Sequence, residues 1–537
     1  MEDGFIKRLG LFLRSLSGGL VELKVLCLGF EAGGRYTVVV DDELAKELGI
    51  GALDRLLVKH GDREVVAIVN IGYRLPQDSI AVYEEVARAL EVREGSVVDV
   101  EPVEPPKSSG YIKDRLRGAR LRYEEVLEIV KDIVEGKLSD VEIAALIVTL
   151  HHQGMGLEEA YYFAKAMVET GERLDLGVKP VLDKHSLGGV PGDKTTILVV
   201  PIVASLGYYI PKTSSRAITS PAGTADRVEA LCPVDLDIEE MKEVVLKTGG
   251  CMVWGGALHL APADDVIIRV EQPLSIDPFF TPSIMAKKHA VGSTHVVIDV
   301  PVGRGAKVRS LDEALGVGRD LIEVGRRLGI EVECAVTYGD EPIGYAVGPN
   351  LEAREALKTV MGGGPRDLVD KAASIAGVLL EMVGRQGGKE LALEALKKGA
   401  AERKLREIIE AQGGDPEVRP EDIRVGEKRL VVRSDRCGRV LWISNAAIAR
   451  IARVAGAPKD KGAGVILYVK TGDVVEEGDP LLEVRAEVGY KLQAVEELLE
   501  TLVPVGVGKA EEQMLIDRVK KRMVIVPSLE IGRPIDH

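Results

Sequence analysis

Between about Val181 and Ala411 short apolar strands alternate with helices, and this alternation constrains the chain more than any other feature. Val181-Leu182 reads as a strand, Thr195–Leu206 as a long helix, Tyr209-Ile-Pro-Lys-Thr213 as a second strand and Ala225–Ala230 as a second helix. Further on, Val296–Val300 and Cys334–Tyr338 read as strands, with Asp312–Leu328 and Leu351–Val360 as helices. Parallel strands need a crossover, and a helix is the usual one. The pattern therefore predicts an α/β domain whose helices cover a mostly parallel sheet.

At 537 residues the chain exceeds one ordinary domain. Residues 1–20 read as an extension and residues 21–105 as a small β-rich, barrel-like domain with turns at Gly33-Gly34 and Gly61-Asp62. Glu101 to Ser109, with three prolines, reads as a linker. Residues 113–180 form a helical unit, joined by a later segment near 275–292; Ser139 and Glu142 match a capping box. The central α/β domain takes 181–425 and a C-terminal α+β domain 426–528. Within the latter, the hairpin from Gly464 to Val484 resembles that of a biotinyl or lipoyl carrier. It lacks a Met-Lys turn, so it reads as structural.

Composition excludes several classes. With 70 basic against 85 acidic residues the net charge is −15, which is unsuited to a duplex-binding scaffold but leaves room for a small anionic ligand. Aromatic residues at 4% give no stacking platform for single strands. The longest weakly charged stretch, Thr195 to Ile210, is too short to span a bilayer, and Arg14 interrupts the N-terminal apolar run. The five cysteines form no C-x-x-C pair, which points to a reducing, cytoplasmic compartment. Asparagine occurs only at 70, 350 and 445 while Lys, Arg and Glu abound, a heat-adapted pattern.

Two loops carry chemistry. Asp183-Lys-His-Ser-Leu-Gly-Gly-Val-Pro-Gly-Asp-Lys-Thr-Thr196 follows a strand and opens a helix, so backbone N–H groups and the helix N-terminus can meet an anion, with Lys184, Ser186 and Thr196 as further donors. Asp193 separates Gly192 from Lys194, so no P-loop is present. Lys212-Thr-Ser-Ser-Arg-Ala-Ile-Thr-Ser-Pro-Ala-Gly-Thr-Ala-Asp226 crowds hydroxyls and Arg216 after the next strand. Two such loops at successive strand ends suit one phosphate held from two sides, or two phosphates.

Together with Ser283-Ile-Met-Ala-Lys-Lys288, these motifs resemble the thymidine phosphorylase / pyrimidine nucleoside phosphorylase family over residues 113–510. The match is closer to an archaeal branch with Gly-Gly-Val-Pro-Gly-Asp-Lys-Thr-Thr, Trp254-Gly-Gly-Ala-Leu and Leu274-Ser-Ile-Asp-Pro, and an extra N-terminal domain. That resemblance implies phosphorolysis of nucleoside 5′-monophosphates: AMP and phosphate would give adenine and ribose 1,5-bisphosphate, with CMP and UMP as further substrates. It places Lys184, Ser186, Thr196, Ser214 and Thr224 on the attacking phosphate. Gly189, Ser215, Arg216, Ala217, Ile218, Thr219, Ser220, Thr224, Ser283 and Lys307 would contact the nucleotide, and Asp277 would donate a proton to the leaving base. It also implies a homodimer or larger homo-oligomer and no cofactor, phosphate being a co-substrate.

The residues themselves bear on these roles. Asp277 lies among apolar neighbours, where burial would raise its pKa, but a helix cap ahead of Pro278 is the competing reading. His185 and Lys287 are additional candidates. His151-His152 lacks a third ligand, and although Asp264-Asp265 could mimic a metal-binding diacid, phosphate would be met by Lys, Ser and backbone, so no metal is expected. Arg269 does not align with the arginine that reads the base in pyrimidine phosphorylases, and Ser220 replaces that family's histidine, a change that makes room for a 5′-phosphate. Rival readings are a uridine or thymidine phosphorylase, a Mg²⁺-dependent phosphoribosyltransferase and a non-enzymatic carrier.

Overall fold

A computed structural model describes residues 20–217 and 220–508. The expected extension at 1–20 and the stretch from 509 to 528 of the expected C-terminal domain lie essentially outside the described residues.

The first unit contains Val21–Cys27 (β1), Thr37–Asp41 (β2), Asp42–Leu48 (α1), Arg55–His60 (β3), Arg63–Gly72 (β4), Ser79–Val82 (β5), Glu84–Leu90 (α2) and Val97–Val103 (β6). The strands close into a barrel in the order β1-β5-β2-β4-β3-β6, which leaves no free edge. In β1, Val21, Leu23 and Val25 face inward while Glu22 and Lys24 face out, the period of two that marks a strand. The expected linker from Glu101 to Ser109 is mostly regular structure. Residues 101–103 finish β6, with Pro102 opposite Leu56, and a helix starts at Lys107.

That helix, Lys107–Leu116 (α3), is followed by Tyr123–Val134 (α4), Asp140–Gln153 (α5) and Leu157–Glu169 (α6). The capping box forms: Ser139 Oγ accepts from the Glu142 N–H at 3.3 Å, and Glu142 Oε2 from the Ser139 N–H at 2.8 Å.

The central part runs Leu182–Ser186 (β7), Thr195–Ser205 (α7), Ile210–Ser214 (β8), Thr224–Val228 (α8), Ile238–Thr248 (α9), Gly250–Trp254 (β9), Pro262–Leu274 (α10), Phe280–Ala290 (α11), His295–Val302 (β10), Leu311–Arg327 (α12) and Glu331–Tyr338 (β11). Strands β11, β10 and β7 pair in parallel, as do β8 and β9; a parallel bridge between Val181 and Tyr209 joins the two groups. Helix α7 is buried from Thr195 through Ala204, which is why it is apolar on every face. It packs between the sheet and the helices Pro349–Val360 (α13), Arg366–Met382 (α14), Gly388–Lys397 (α15) and Ala400–Ala411 (α16), which follow the short strand Ala346–Val347 (β12). Helices α10 and α11 leave the sheet and join the helical unit, where the Phe163 and Phe279 rings meet edge to face at 4.9 Å.

The last unit holds Lys428–Arg433 (β13), Gly438–Ile443 (β14), Asn445–Val454 (α17), Gly464–Leu467 (β15), Val474–Val475 (β16), Pro480–Ala486 (β17), Gly489–Leu499 (α18) and Val505–Gly508 (β18). Its larger sheet has the order β12-β15-β17-β13, so the central part contributes one strand to it. Among the described residues no helix is long and apolar enough to cross a membrane.

Candidate functional site

The first loop leaves β7 and enters α7. Gly188, Gly189 and Gly192 have φ of +79°, +89° and +77°, a region closed to most side chains. At Gly189 a Cβ would lie 2.5 Å from the backbone nitrogen of Lys307, so the loop crosses the 303–308 turn at backbone contact. Lys184 is 2% exposed; its Nζ donates to Thr195 Oγ1 at 2.8 Å and lies 3.9 Å from Asp193. Burial pushes its pKa down. Burial alone would raise Asp193, but the charges of Lys184 and Lys371 hold it far below the usual carboxylate range. Ser186 Oγ donates to Asp299 Oδ2 at 2.8 Å, and Asp299 also takes Thr337 Oγ1 at 2.6 Å and Lys371 Nζ at 3.0 Å. Thr196 is buried one residue into α7.

Lysines that no sequence argument had placed in the site complete it. Lys288 Nζ donates to Asp183 Oδ2 at 2.7 Å, and Lys212, on the neighbouring strand β8, lies 4.0 Å from Asp183 Oδ1. Four buried lysines (184, 212, 288 and 371) therefore face three buried aspartates (183, 193 and 299). The pKa of Lys212 falls well below its ordinary value through burial and then the charges of Lys288 and Lys184. His185 falls well below its own for the same reason, with Lys288, Lys212, Lys287 and Lys184 around it, so its imidazole is neutral near pH 7. An anion entering here would relieve lysine–lysine repulsion. The signal was in the sequence, since Lys212 and Lys288 sit inside the motifs Pro211-Lys-Thr-Ser-Ser and Met285-Ala-Lys-Lys. Lys194 points elsewhere. Its Nζ meets Glu355 and donates to the carbonyls of Ile343 at 3.0 Å and Ala346 at 2.9 Å.

The second loop leaves β8 beside the first. Ser214 Oγ donates to the Val253 carbonyl at 3.0 Å, and the Ser215 carbonyl accepts from the Ala225 N–H at 3.2 Å. Asp226 Oδ2 closes the loop by accepting from Ala217 at 2.7 Å and Gly223 at 2.9 Å. Arg216 is engaged by Glu229 at 3.0 and 2.8 Å and Asp235 at 3.3 Å, with its guanidinium 4.9 Å from the Trp254 ring centre. Its side chain thus shapes the loop. Lys461, from the C-terminal unit, reaches Asp226 at 3.1 Å and Glu229 at 2.8 Å. Arg216 and then Lys461 bring the Glu229 pKa down to about 2. Ser220 Oγ donates to the Ala222 carbonyl at 3.2 Å, and Thr224 opens α8, where its Oγ1 accepts from Arg227 at 3.3 Å. Ile218 and Thr219 lie outside the described residues.

Asp277 lies between α10 and α11, across from the first loop. The Lys307 ammonium is 3.8 Å from its Oδ2 and 5.3 Å from the Phe280 ring centre. Its pKa is raised by burial and by Asp264, against Lys307 and Lys287. The side chain is nevertheless 48% exposed, so the expected apolar surround covers one side only. Ser283 follows in α11, its N–H donating to the Phe279 carbonyl at 2.9 Å. Lys287 pairs with the buried Asp264 at 2.5 Å. Arg269 turns away, its guanidinium donating to the Gly33 carbonyl on the barrel. Glu271 went unnoticed in the sequence: it is 5% exposed, accepts from the Phe279 N–H at 3.3 Å, and burial plus Asp277 push its pKa up to about 8. Among the described residues no group of three or more His, Cys, Asp or Glu side chains is placed to hold a metal ion.

The chain matches the helical bundle domain of a glycosyl transferase family at residues 109–171 and that family's a/b domain at 178–402. Residues 440–505 match the C-terminal domain of pyrimidine nucleoside phosphorylases. Among solved structures, anthranilate phosphoribosyltransferase from Thermus thermophilus shares 22% identity with a TM-score of 0.49, covering 56% of this chain and 98% of its own. An AMP phosphorylase of Pyrococcus furiosus is 48% identical over 490 residues, 90% of this chain and 97% of that protein. An AMP phosphorylase of Thermofilum pendens is 55% identical over 501 residues, 93% of this chain and 98% of that protein. With helical unit, sheet and C-terminal unit all matched in order, the chain belongs to the AMP phosphorylase family, within the wider group of pyrimidine nucleoside phosphorylases.

Proposed function

We propose that this chain cleaves AMP with inorganic phosphate. A phosphate oxygen attacks C1′ of the ribose, the C–N bond breaks with its electron pair leaving on adenine, and ribose 1,5-bisphosphate remains. The observation that carries this reading is the pair of anion-receptive loops at the adjacent ends of β7 and β8, faced by Asp277 with its raised pKa. Together the two loops suit two phosphates, the attacking one and the 5′-phosphate of the nucleotide, with residues of both loops serving each.

In this reading Lys184, Ser186, Thr196, Ser214 and Thr224 hold the attacking phosphate, with neutral His185 beside them. Gly189, the 215–220 loop, Thr224, Ser283 and Lys307 hold the nucleotide, and Lys287 supports Asp264 beneath the base. Asp277 gives its carboxyl proton to the leaving base, and general acid assistance of this kind is worth roughly 10²–10⁴-fold. The oxocarbenium character that develops at C1′ is met by the anionic phosphate, so nucleophile and electrostatic partner are one group. CMP and UMP present the same 5′-phosphate and the same class of bond.

We further infer that the chain works in the cytoplasm as a homodimer or larger homo-oligomer. The support for association is Val141, 68% exposed on α5, with Val148 and Leu157 exposed on the same helical unit. Light scattering on the purified protein tests it, and a monomer at micromolar concentration counts against it.

The test of the activity is base release from AMP, with adenosine as the paired substrate and phosphate omitted in a third arm. Adenine formed from AMP only when phosphate is present sustains the reading. Equal release from adenosine, or release without phosphate, overturns it.

A further inference from the structure

Three carboxyl groups, Asp264, Glu271 and Asp277, lie within electrostatic reach of one another at the end of α10, and they are not equivalent. Asp264 is paired with Lys287 at 2.5 Å, and Asp277 faces Lys307 at 3.8 Å. Glu271 forms no ion pair among the described residues, although it is 5% exposed and sits on α10 two turns beyond Asp264. A buried carboxyl without a cation is held in its neutral form, because burying the ionised form would cost several kcal/mol. What Glu271 does have is the N–H of Phe279, which donates to its Oε1 at 3.3 Å. Phe279 is two residues past Asp277. Between α10 and this anchor the chain turns sharply, with Ser275 at φ +54°, and the Asp277 carbonyl accepts from the Phe280 N–H at 3.4 Å.

We propose that Glu271 is a positioning residue: in its neutral form it ties the turn that carries Asp277 to the end of α10, and so holds the proton donor at the leaving base. This rests on the reading of Asp277 as that donor. The groups facing Glu271 are Asp264 on its own helix, Asp277 on the turn, and Lys307 from the 303–308 turn; Lys287 of α11 is spent on Asp264. Ionisation of the buried Glu271 places a second negative charge beside Asp277. The Phe279 N–H still donates to the carboxylate, but the added charge raises the pKa of Asp277 and makes it a weaker acid toward the leaving base. Glu271 touches neither phosphate nor base in this scheme. Its effect is on turnover, through the position of Asp277 by way of Phe279 and through the acidity of Asp277 by way of charge.

The experiment is a pH–rate profile of AMP phosphorolysis for the wild-type chain, Glu271→Gln and Glu271→Ala, with kcat and the KM for phosphate resolved at each pH. Wild-type kcat is expected to fall as pH rises through about 8, where Glu271 ionises. Glu271→Ala removes the anchor, and a misplacement of the donor on the ångström scale lowers kcat by about 10²-fold with the KM for phosphate unchanged. Glu271→Gln keeps an acceptor for Phe279 and cannot ionise, so it rescues most of the turnover at pH 7 and abolishes the fall near pH 8. An alkaline limb in Glu271→Gln identical to wild type overturns the inference, and so does a Glu271→Ala protein with wild-type kcat. Should the alanine variant fail to fold, the glutamine profile alone decides. A wild-type chain that releases no adenine sinks the AMP reading itself, an outcome distinct from active variants with an unshifted profile.

Discussion

The backbone nitrogen of Lys307 stands 2.5 Å from the point where Gly189 would carry a Cβ. Two loops assigned to the nucleotide in the proposed scheme thus meet with no side chain between them, and Lys307 reaches from this crossing to Asp277. Replacing Gly189 by alanine must separate the loops and also place a Cβ at φ +89°. The expected cost is about 1–2 kcal/mol from the backbone conformation alone, before the clash is counted. Thermal denaturation of Gly189→Ala should show it, together with a raised KM for AMP. A variant of wild-type stability and KM would mean that the loops have slack.

Asp277→Asn keeps shape and hydrogen bonding but cannot give up a carboxyl proton. Turnover of AMP should fall about 10²–10⁴-fold, while the KM for phosphate and the far-UV circular dichroism stay near wild type. A smaller loss would move the proton donor elsewhere.

Ser220→His fills the space assigned to the 5′-phosphate. The kcat/KM for AMP should drop at least about tenfold, equivalent to roughly 1.4 kcal/mol of lost transition-state binding, with little change for adenosine. Normal use of AMP by this variant would contradict the assignment of the second loop.

Chelation should leave the rate unchanged, because lysines and hydroxyls meet phosphate in the proposed scheme. A rate abolished by chelator and restored by Mg²⁺ would favour phosphoribosyltransferase-like chemistry instead.

Glu271 also makes a prediction about stability. Its folded pKa of about 8 lies above the ordinary value of 4.5, so between those pH values the folded chain binds more protons than the unfolded one. Stability is therefore lost as pH rises through that window, by an amount on the order of 4 kcal/mol at its upper end. Glu271→Gln removes this dependence. The difference in melting temperature between variant and wild type should grow from pH 5 to pH 8 and then level off; a constant difference would show that Glu271 is not neutral in the folded state.

What could be read in advance followed from local patterns. Helix α7 announced itself through an apolar run opened by glycines. The end of β6 reads in sequence as a linker because Pro102 lies in it. The proposed site divides in the same way. Glycine- and hydroxyl-rich loops are visible in sequence, whereas the direction of a side chain is a tertiary property. Lys194 stands in the first motif yet serves as a brace, while Lys212 and Lys288 turn inward. One signal for Glu271 was available: Asp264, Ile267 and Glu271 are spaced three and four apart, so all three lie on the buried stripe of α10. An acid at an apolar stripe position is the feature to look for.

Lys461 closes the second loop from almost 240 residues downstream, by way of Asp226 and Glu229. Such a site has an order of assembly built into it. On the ribosome the parallel strands, the glycine turns and Asp277 all emerge before the cation that braces the second loop. A nascent or prematurely terminated chain can hold a nearly complete sheet and still lack a settled grip on its substrate. In the proposed scheme the second loop is therefore complete only in chains whose synthesis has run well into the last domain.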